Sequence, residues 1–269
     1  MPNLVAIVQE QCRNVRKTAP IVHCITNHVV MNITANALLC TGASPIMAHA
    51  AEEMEDIEQL AGALVLNIGT LSPEWISSMF IAGRAANHRG VPVVLDPVGA
   101  GASTLRTKTS LRLLEEIKPC ILRANASEIM ALAGVAAASR GVDSGREVGD
   151  AHDSACLLAE RHQCVVVISG KTDLVVSPSR RARIHGGHAL MPRITGMGCS
   201  ATSLVAAHAA VADTPFNAAL GGMAVMAAAG GEAGLKARGP ASFQSLFLDE
   251  LYDLSDAHIA THVRIEEQT

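Results

Sequence analysis

The chain has 269 residues, of which 49% are hydrophobic and 17% charged, so it is too apolar to be intrinsically disordered and long enough to bury a large core. Aromatic residues make up only 2% and the formal net charge is −4, which argues against an all-β sandwich and against nucleic acid as a partner. We therefore expect one globular domain, residues 1–269, that acts on a small polar or anionic ligand.

Short aliphatic runs alternate with helical patterns over the first 170 residues. Six runs predict buried strands: 20–26, 44–48, 63–68, 91–96, 120–123 and 164–169. Helix boundary signals lie between them. Ser72-Pro73-Glu74, for example, opens a segment that closes at Arg89-Gly90. This alternation predicts an α/β fold with a mostly parallel sheet and helices on both faces.

The pattern changes after residue 170. Runs 173–177 and 181–185, joined by a turn at Pro178-Ser179, predict antiparallel edge strands, and residues 198–258 predict helices. Segment 134–149 is rich in Ala, Gly and Ser and predicts a mobile loop. Segments 194–212 and 214–231 lack Asp, Glu, Lys and Arg, but they are rich in small residues rather than Leu, Ile or Phe, so we expect buried helices and no membrane association.

The cysteine pattern indicates the compartment. The seven cysteines are an odd number without a C-x-x-C pair, as is typical of a reduced protein. The first ten residues lack both a basic region and a long apolar core, so they do not resemble a signal peptide. We expect a cytoplasmic protein.

Polar residues follow the ends of five predicted strands. They are Thr26-Asn27, residues 67–70, Asp96-Pro97, residues 123–128 and Ser169-Gly170. Ligands of open parallel sheets bind beyond the carboxyl ends of the strands, so these residues should share one rim. Two carboxylates, Asp96 and Glu128, beside the guanidinium of Arg123 would suit a phosphorylated ligand with a divalent metal. At any single position, a turn or capping role explains the residue equally well.

The segment 194–203 places glycines directly before a helix-forming run. The backbone amides of Gly196, Met197, Gly198 and Cys199 are predicted to form an anion hole at the positive end of this helix. The segment lacks the Lys of a P-loop. The helix start should also lower the pKa of the Cys199 thiol; the alternative is a small buried side chain without a chemical role.

Seven segments resemble the hydroxyethylthiazole kinase family, in order and over nearly the whole chain. They are VHCITN (22–27), GASPIM (42–47), LVLNIGT (64–70), LDPVGAGA (95–102), RANASEI (123–129), TGMGC (195–199) and GPASF (239–243). The resemblance implies a ribokinase-like fold and ATP- and Mg²⁺-dependent phosphorylation of the primary hydroxyl of 4-methyl-5-(2-hydroxyethyl)thiazole, for thiamine salvage. It also implies a homotrimer with active sites at the subunit interfaces.

The same resemblance implies roles for individual residues. Asn27, Met47 and Gly196 would bind the thiazole, Arg123 and Ser169 would bind ATP, Asp96 and Glu128 would hold the metal, and Cys199 would act on the substrate hydroxyl. Ribokinase relatives usually carry Asp at the position of Cys199, so the strength of base catalysis is left open.

Other functions are compatible with parts of this pattern. A different ribokinase-fold kinase, such as a pyrimidine kinase, or a repair dehydratase of hydrated nicotinamide nucleotides would share the fold, but the Cys in TGMGC argues against both. A non-catalytic thiazole or nucleotide binder would not need Asp96 and Glu128. A Cys-dependent hydrolase would need a His beside Cys199, and no spacing nominates one.

Overall fold

Residues 3–135 and 144–268, the part of the chain that the computed structural model describes, contain nine strands in one sheet. The strands are β1 (Ile21–Ile25), β2 (Ser44–Ile46), β3 (Ala63–Asn67), β4 (Val93–Asp96), β5 (Ile121–Asn125), β6 (Val165–Ser169), β7 (Thr172–Val176), β8 (Arg181–His185) and β9 (Arg264–Gln268). Their order is β2-β1-β3-β4-β5-β6-β7-β8-β9, parallel through β6 and antiparallel from β6 to β9. The predicted fold class is confirmed.

Helices cover both faces of this sheet. They are α1 (Leu4–Thr18), α2 (Met31–Thr41), α3 (Met54–Glu58), α4 (Pro73–Arg89), α5 (Thr104–Glu116), α6 (Ala126–Leu132), α7 (Ser144–His162), α8 (Met197–Ala209), α9 (Pro215–Lys236), α10 (Pro240–Tyr252) and α11 (Asp256–His262). Successive strand residues point to opposite faces, so Ala63 and Val65 join one core cluster while Leu64 and Leu66 join the other. The first core includes α8 and α9, and the second includes α4 and α5.

Local signals determine the ends of α4 as the sequence predicts. The Ser72 hydroxyl accepts a hydrogen bond from the backbone N–H of Trp75, and Pro73 occupies the first turn. Gly90 ends the helix in the left-handed region at φ 70°, where a side chain would be strained. Trp75, in the first turn of this helix, packs its ring against His28, which follows the end of β1.

Helix α9 is apolar over most of its surface and packs against other helices and against strands β6 to β8. It is long and apolar enough to cross a membrane by length and composition, and 83% of the relevant window is buried inside the protein. A Cβ on Gly222 would lie 2.4 Å from the Cα of Val205 in α8, so the two helix backbones touch there. The prediction that segments 194–212 and 214–231 form buried helices is confirmed.

Two sequence predictions differ from the structure. Helix α7 begins at Ser144, so residues 144–149 of the predicted loop 134–149 are helical, whereas residues 136–143 lie outside the described residues. Strand β9 was not predicted, because Arg-Ile-Glu-Glu-Gln carries little strand preference of its own. It forms by pairing with β8, where Ile265 lies opposite Ile184 and Arg180 forms a 2.8 Å ion pair with Glu267.

Candidate active site

The carboxyl ends of β3 and β4 bring Asn67 and Asp96 side by side. The two residues are paired in the sheet register, and Asn67 Nδ2 donates to Asp96 Oδ2 at 2.9 Å. The Thr202 hydroxyl, from the second turn of α8, donates to the same oxygen at 2.8 Å. Both donors contact Oδ2, which leaves the lone pairs of Oδ1 for a ligand from outside the chain.

The thiol of Cys199 lies next to this pair. Its Sγ accepts hydrogen bonds from Asn67 Nδ2 at 3.2 Å and from Asn27 Nδ2 at 3.5 Å. Asn27 Nδ2 also donates to Asn67 Oδ1 at 2.9 Å. Asn27, Asn67, Asp96 and Cys199 therefore form one hydrogen-bonded group, which we call the asparagine network. Asn67 was not assigned a role from the sequence, although its place at a strand end was a signal.

The expectation of a partly ionised Cys199 was wrong. Burial, and after it the negative charge of Asp96, raise the pKa of this thiol to about 11. The amide donors of Asn67 and Asn27 oppose this shift but do not overcome it. The helix start therefore does not make Cys199 a thiolate at neutral pH, because the thiol is enclosed and faces a carboxylate.

Asp96 is itself perturbed. Its pKa is raised to about 6 because the carboxylate is buried; Arg123 acts in the opposite direction, and Glu128 adds to the rise. Glu128 binds backbone amides with both oxygens, from Gly99 at 2.7 Å and from Asn125 at 2.9 Å. A carboxylate pair of this kind fits a divalent cation, which would compensate the unfavourable burial of negative charge.

The glycine segment opens α8 as predicted. Gly196 caps the helix with φ 85°, and a Cβ there would lie 2.7 Å from Ile33 Cγ2, so conformation and space both require glycine. The amides of Met197, Gly198 and Cys199 belong to the first helical turn, where backbone N–H groups lack helical partners. The Met197 side chain is buried in the core.

Arg123 and Ser169 come together at the ends of β5 and β6. Arg123 Nη2 donates to the Ser169 hydroxyl at 2.5 Å. Within the described residues, Arg123 Nε is buried without a hydrogen-bond partner. An unpartnered guanidinium nitrogen is unfavourable in the protein alone, and it would be satisfied by an anion.

A cavity of about 770 Å³ extends from Arg123 between the β6–β8 hairpins and α9. Its polar end includes Ser169, Lys171 and Asp173, and burial raises the pKa of Asp173 to about 6. Its apolar wall includes Met191, Ile194, Met223, Met226 and Ala227. Asp173 and the two α9 methionines were not predicted as site residues, because only the tertiary fold brings them to this cavity.

Most of the predicted site residues lie in the asparagine network, beside the cavity or in the first turn of α8, and Glu128 binds the amides next to them. The asparagine network joins Asn27, Asp96 and Cys199, and Arg123 with Ser169 borders the cavity. Met47 lies one residue beyond β2, partly buried against the core face that includes α8, and takes no part in these hydrogen bonds.

The model of the hydroxyethylthiazole kinase family matches residues 12–257 of the chain. A hydroxyethylthiazole kinase of Nitratidesulfovibrio vulgaris (strain DSM 19637 / Miyazaki F) is 61% identical over 251 residues, which cover 93% of this chain and 94% of that protein. The enzyme of the same name from Oleidesulfovibrio alaskensis is 57% identical over 260 residues, covering 97% and 98%.

Solved structures agree with these similarities. The hydroxyethylthiazole kinase protein of Pyrococcus horikoshii OT3 superimposes with a TM-score of 0.91 at 38% identity, covering 98% of this chain and 100% of that one. The pyridoxal kinase of Staphylococcus aureus has a TM-score of 0.62 at 14% identity over 92% of this chain and 97% of its own, and shares the ribokinase-like fold. The chain belongs to the hydroxyethylthiazole kinase family.

Proposed function

We propose that the chain transfers the γ-phosphoryl group of ATP to the primary hydroxyl of 4-methyl-5-(2-hydroxyethyl)thiazole, giving the thiazole phosphate used in thiamine salvage. One observation carries the proposal. The first turn of α8 contributes Cys199 to the asparagine network and Met197 and Gly198 to the lining of the cavity beside Arg123. A polar acceptor site thus adjoins a cavity that suits a nucleotide, as phosphoryl transfer requires.

The cavity beside Arg123 is where we assign ATP. Its volume of about 770 Å³ is within the range of small-molecule sites. The methionines and Ile194 provide an apolar surface for the base. At the other end, Arg123 and Ser169 provide donors for the phosphates. The unpartnered Nε of Arg123 supports this orientation, because a phosphate oxygen would satisfy it.

Asp96 and Glu128 are the residues we assign to Mg²⁺. Among residues 3–135 and 144–268, no third His, Cys, Asp or Glu joins them in a ligand cluster, so phosphate oxygens and water would complete the octahedral coordination. When bound, the ion would neutralise charge on the transferred phosphoryl group. The buried carboxylate of Asp96 supports this assignment, since its pKa stays raised although Arg123, Asn67 and Thr202 partly compensate the charge.

Cys199 is assigned to hold the substrate hydroxyl. With a pKa of about 11 the thiol is neutral at pH 7, so it can donate or accept a hydrogen bond but is a weak general base. Phosphoryl transfer has a loose transition state in which positioning and charge stabilisation dominate. The amides of Gly196 to Cys199 are positioned to contribute that stabilisation as the anion hole.

Met47 and Gly196 complete the thiazole site in this proposal, together with Asn27. We assign the active form as a homotrimer in the cytoplasm, with one domain per chain and a neighbouring copy closing each site. This assignment rests on the resemblance to the family, which implies a trimer with active sites at the subunit interfaces. Sedimentation at assay concentration tests this assignment, and a fully active monomer would contradict it.

The function is tested by ADP formation with a panel of thiazole, pyrimidine, pyridine and sugar alcohols. We expect ADP with the thiazole alcohol, in a ratio of one to one with phosphorylated product, and loss of turnover in excess chelator that added Mg²⁺ restores. Turnover with another alcohol only would reassign the substrate. Ligand binding without ADP release would indicate a non-catalytic binder.

A further inference from the structure

We propose that the buried pair His23 and Glu58 is a positioning device that holds the segment Met47 to His49 in place. The inference rests on the proposed function, in which Met47 forms one wall of the thiazole site. His23 acts on the site through its hydrogen bond to the backbone of Ala48, and Glu58 acts through its hydrogen bond to His23.

The geometry requires a hydrogen on one atom of His23. His23 Nε2 lies 3.1 Å from the carbonyl oxygen of Ala48. Because a carbonyl oxygen only accepts, Nε2 must be the donor. On the other side of the ring, Nδ1 and Glu58 Oε1 are hydrogen-bonded at 2.5 Å. This second hydrogen bond holds the ring in the orientation from which Nε2 reaches Ala48.

The pair occupies an unfavourable position for two polar groups. Both side chains are 0% exposed, and within the described residues Glu58 Oε2 has no hydrogen-bond partner. Apolar side chains of similar volume would often be as stable or more stable in such a position. The bond to Ala48 gives the pair a role that apolar residues could not provide.

Ala48 lies in the segment that follows β2, and its hydrogen bond to His23 ties this segment to β1. In the sheet register His23 lies opposite Ile46, so Ala48 lies two residues beyond the paired end of β2, on the same side of the strand. Without the anchor from His23, the chain between β2 and α3 would lose the contact that connects it to β1. The flanking residues Met47 and His49 would then move together.

His49 makes such a movement measurable. Its ring lies 5.0 Å from the ring of Trp75, and the ring of His28, next to Asn27, lies 4.6 Å from the same indole. Trp75 is the single tryptophan of the chain. Its fluorescence therefore reports the anchored segment directly, without any requirement for catalysis.

Two matched variants test the proposal. In His23→Asn, the shorter amide can still donate to Glu58 but cannot reach Ala48. In the double variant His23→Gln with Glu58→Gln, the longer amide can donate to Ala48 while the second substitution removes the unpaired carboxylate. Measurements on each are KM for the thiazole alcohol, KM for ATP, kcat, Trp75 emission and the urea midpoint of unfolding.

We expect His23→Asn to raise the KM for the thiazole alcohol by about tenfold, as for one lost hydrogen bond, with the KM for ATP unchanged and a changed Trp75 emission. The double variant should return KM and emission towards wild-type values. A wild-type KM and emission in His23→Asn would overturn the proposal. So would equal losses for both substrates, or a double variant as impaired as the single one, since these indicate a purely structural role.

Failure of the proposed function is distinguishable from failure of this inference. If the wild-type protein forms no ADP with the thiazole alcohol, the function is wrong, yet Trp75 emission still compares the two variants. An emission that changes in His23→Asn and recovers in the double variant then supports the anchor at Ala48. An emission identical in all three proteins refutes it.

Discussion

The guanidinium of Arg123 lies against the backbone of Gly198: a Cβ at residue 198 would come within 2.8 Å of Arg123 Nη1. Gly198 is in the first turn of α8 and has an ordinary helical conformation, so alanine there is compatible with the backbone. The atom it would meet is the end of a long side chain. Substitution would therefore move the guanidinium rather than the helix.

We expect Gly198→Ala to raise the KM for ATP while leaving the free energy of unfolding unchanged or higher by up to about 1 kcal/mol, the helix preference of Ala over Gly. Steady-state kinetics and urea unfolding measure the two effects. A variant with wild-type ATP affinity would show that the guanidinium position is not critical for nucleotide binding.

Arg123→Ala should weaken ATP binding by about 1.5–3 kcal/mol, the range for a charge-assisted hydrogen bond, or roughly 10- to 150-fold. The KM for the thiazole alcohol should change little, because Arg123 borders the nucleotide cavity. Ser169→Ala is the matched control: it removes the neutral partner of the same guanidinium and should have a smaller effect. Calorimetric titration with a non-hydrolysable nucleotide gives both affinities, and an unchanged affinity in Arg123→Ala would remove this residue from the site.

Asp96→Asn should separate stability from activity. In the metal-free protein, the pKa of Asp96 is raised from an ordinary value of about 3.9 to about 6, so burial of the ionised form costs about 2–3 kcal/mol. The native state therefore loses stability as pH rises from about 4 to about 6. The amide can still accept the bonds of Asn67 and Thr202, so the variant should be more stable than wild type at pH 7.5, though not at pH 4.

Turnover of Asp96→Asn should fall below detection at Mg²⁺ concentrations that saturate the wild-type enzyme. Chemical unfolding at the two pH values, in chelator, gives the stability difference. Equal stability at pH 7.5 would mean that the Asp96 charge is compensated within the protein.

Cys199→Ala should lower kcat with little change in ATP affinity. The loss should be smaller than the roughly 10²–10⁴-fold typical of general base catalysis, because the thiol is neutral near pH 7. Cys199→Asp should keep or raise kcat, since a carboxylate is the stronger base and can accept the same two asparagine bonds. Full activity of Cys199→Ala, with an intact circular dichroism spectrum, would exclude a role for the thiol in turnover.

His208 should make stability pH-dependent. Burial lowers its pKa to about 4, and its Nδ1 hydrogen-bonds the Leu204 carbonyl at 2.8 Å. Since the unfolded state titrates near 6.5, the unfolded chain binds more protons between these values, and stability is lost as pH falls from about 6.5 to about 4. The difference in unfolding free energy between wild type and His208→Gln should therefore shrink by about 3 kcal/mol over this window. A constant difference would show that His208 is accessible to protons in the folded state.

The sequence predicted the elements whose signals are local. Ser72, Pro73 and Gly90 define α4 through caps and turns, and the strand ends locate Asn27 and Asp96 on one rim because parallel strands impose it. Glu58 shows the opposite case. Its acidic neighbours, residues 52–56, resemble a solvated helix start, yet Glu58 is buried opposite His23, a partner 35 positions away. Neither that pairing nor the environment that raises the pKa of Cys199 has a signal in nearby residues.

The contact between Gly222 and Val205 limits how this enzyme can evolve. Helix α8 begins at the proposed anion hole, and its place is set by a backbone contact with no room for a side chain. A variant library aimed at new acceptor alcohols can therefore vary the side chain of Met47, but Gly196 and Gly222 must stay glycine, the first for its backbone conformation and the second for the contact with α8. Substrate range can change in this scaffold by replacing wall residues, whereas moving the phosphoryl-binding turn would require redesign of two helices at once.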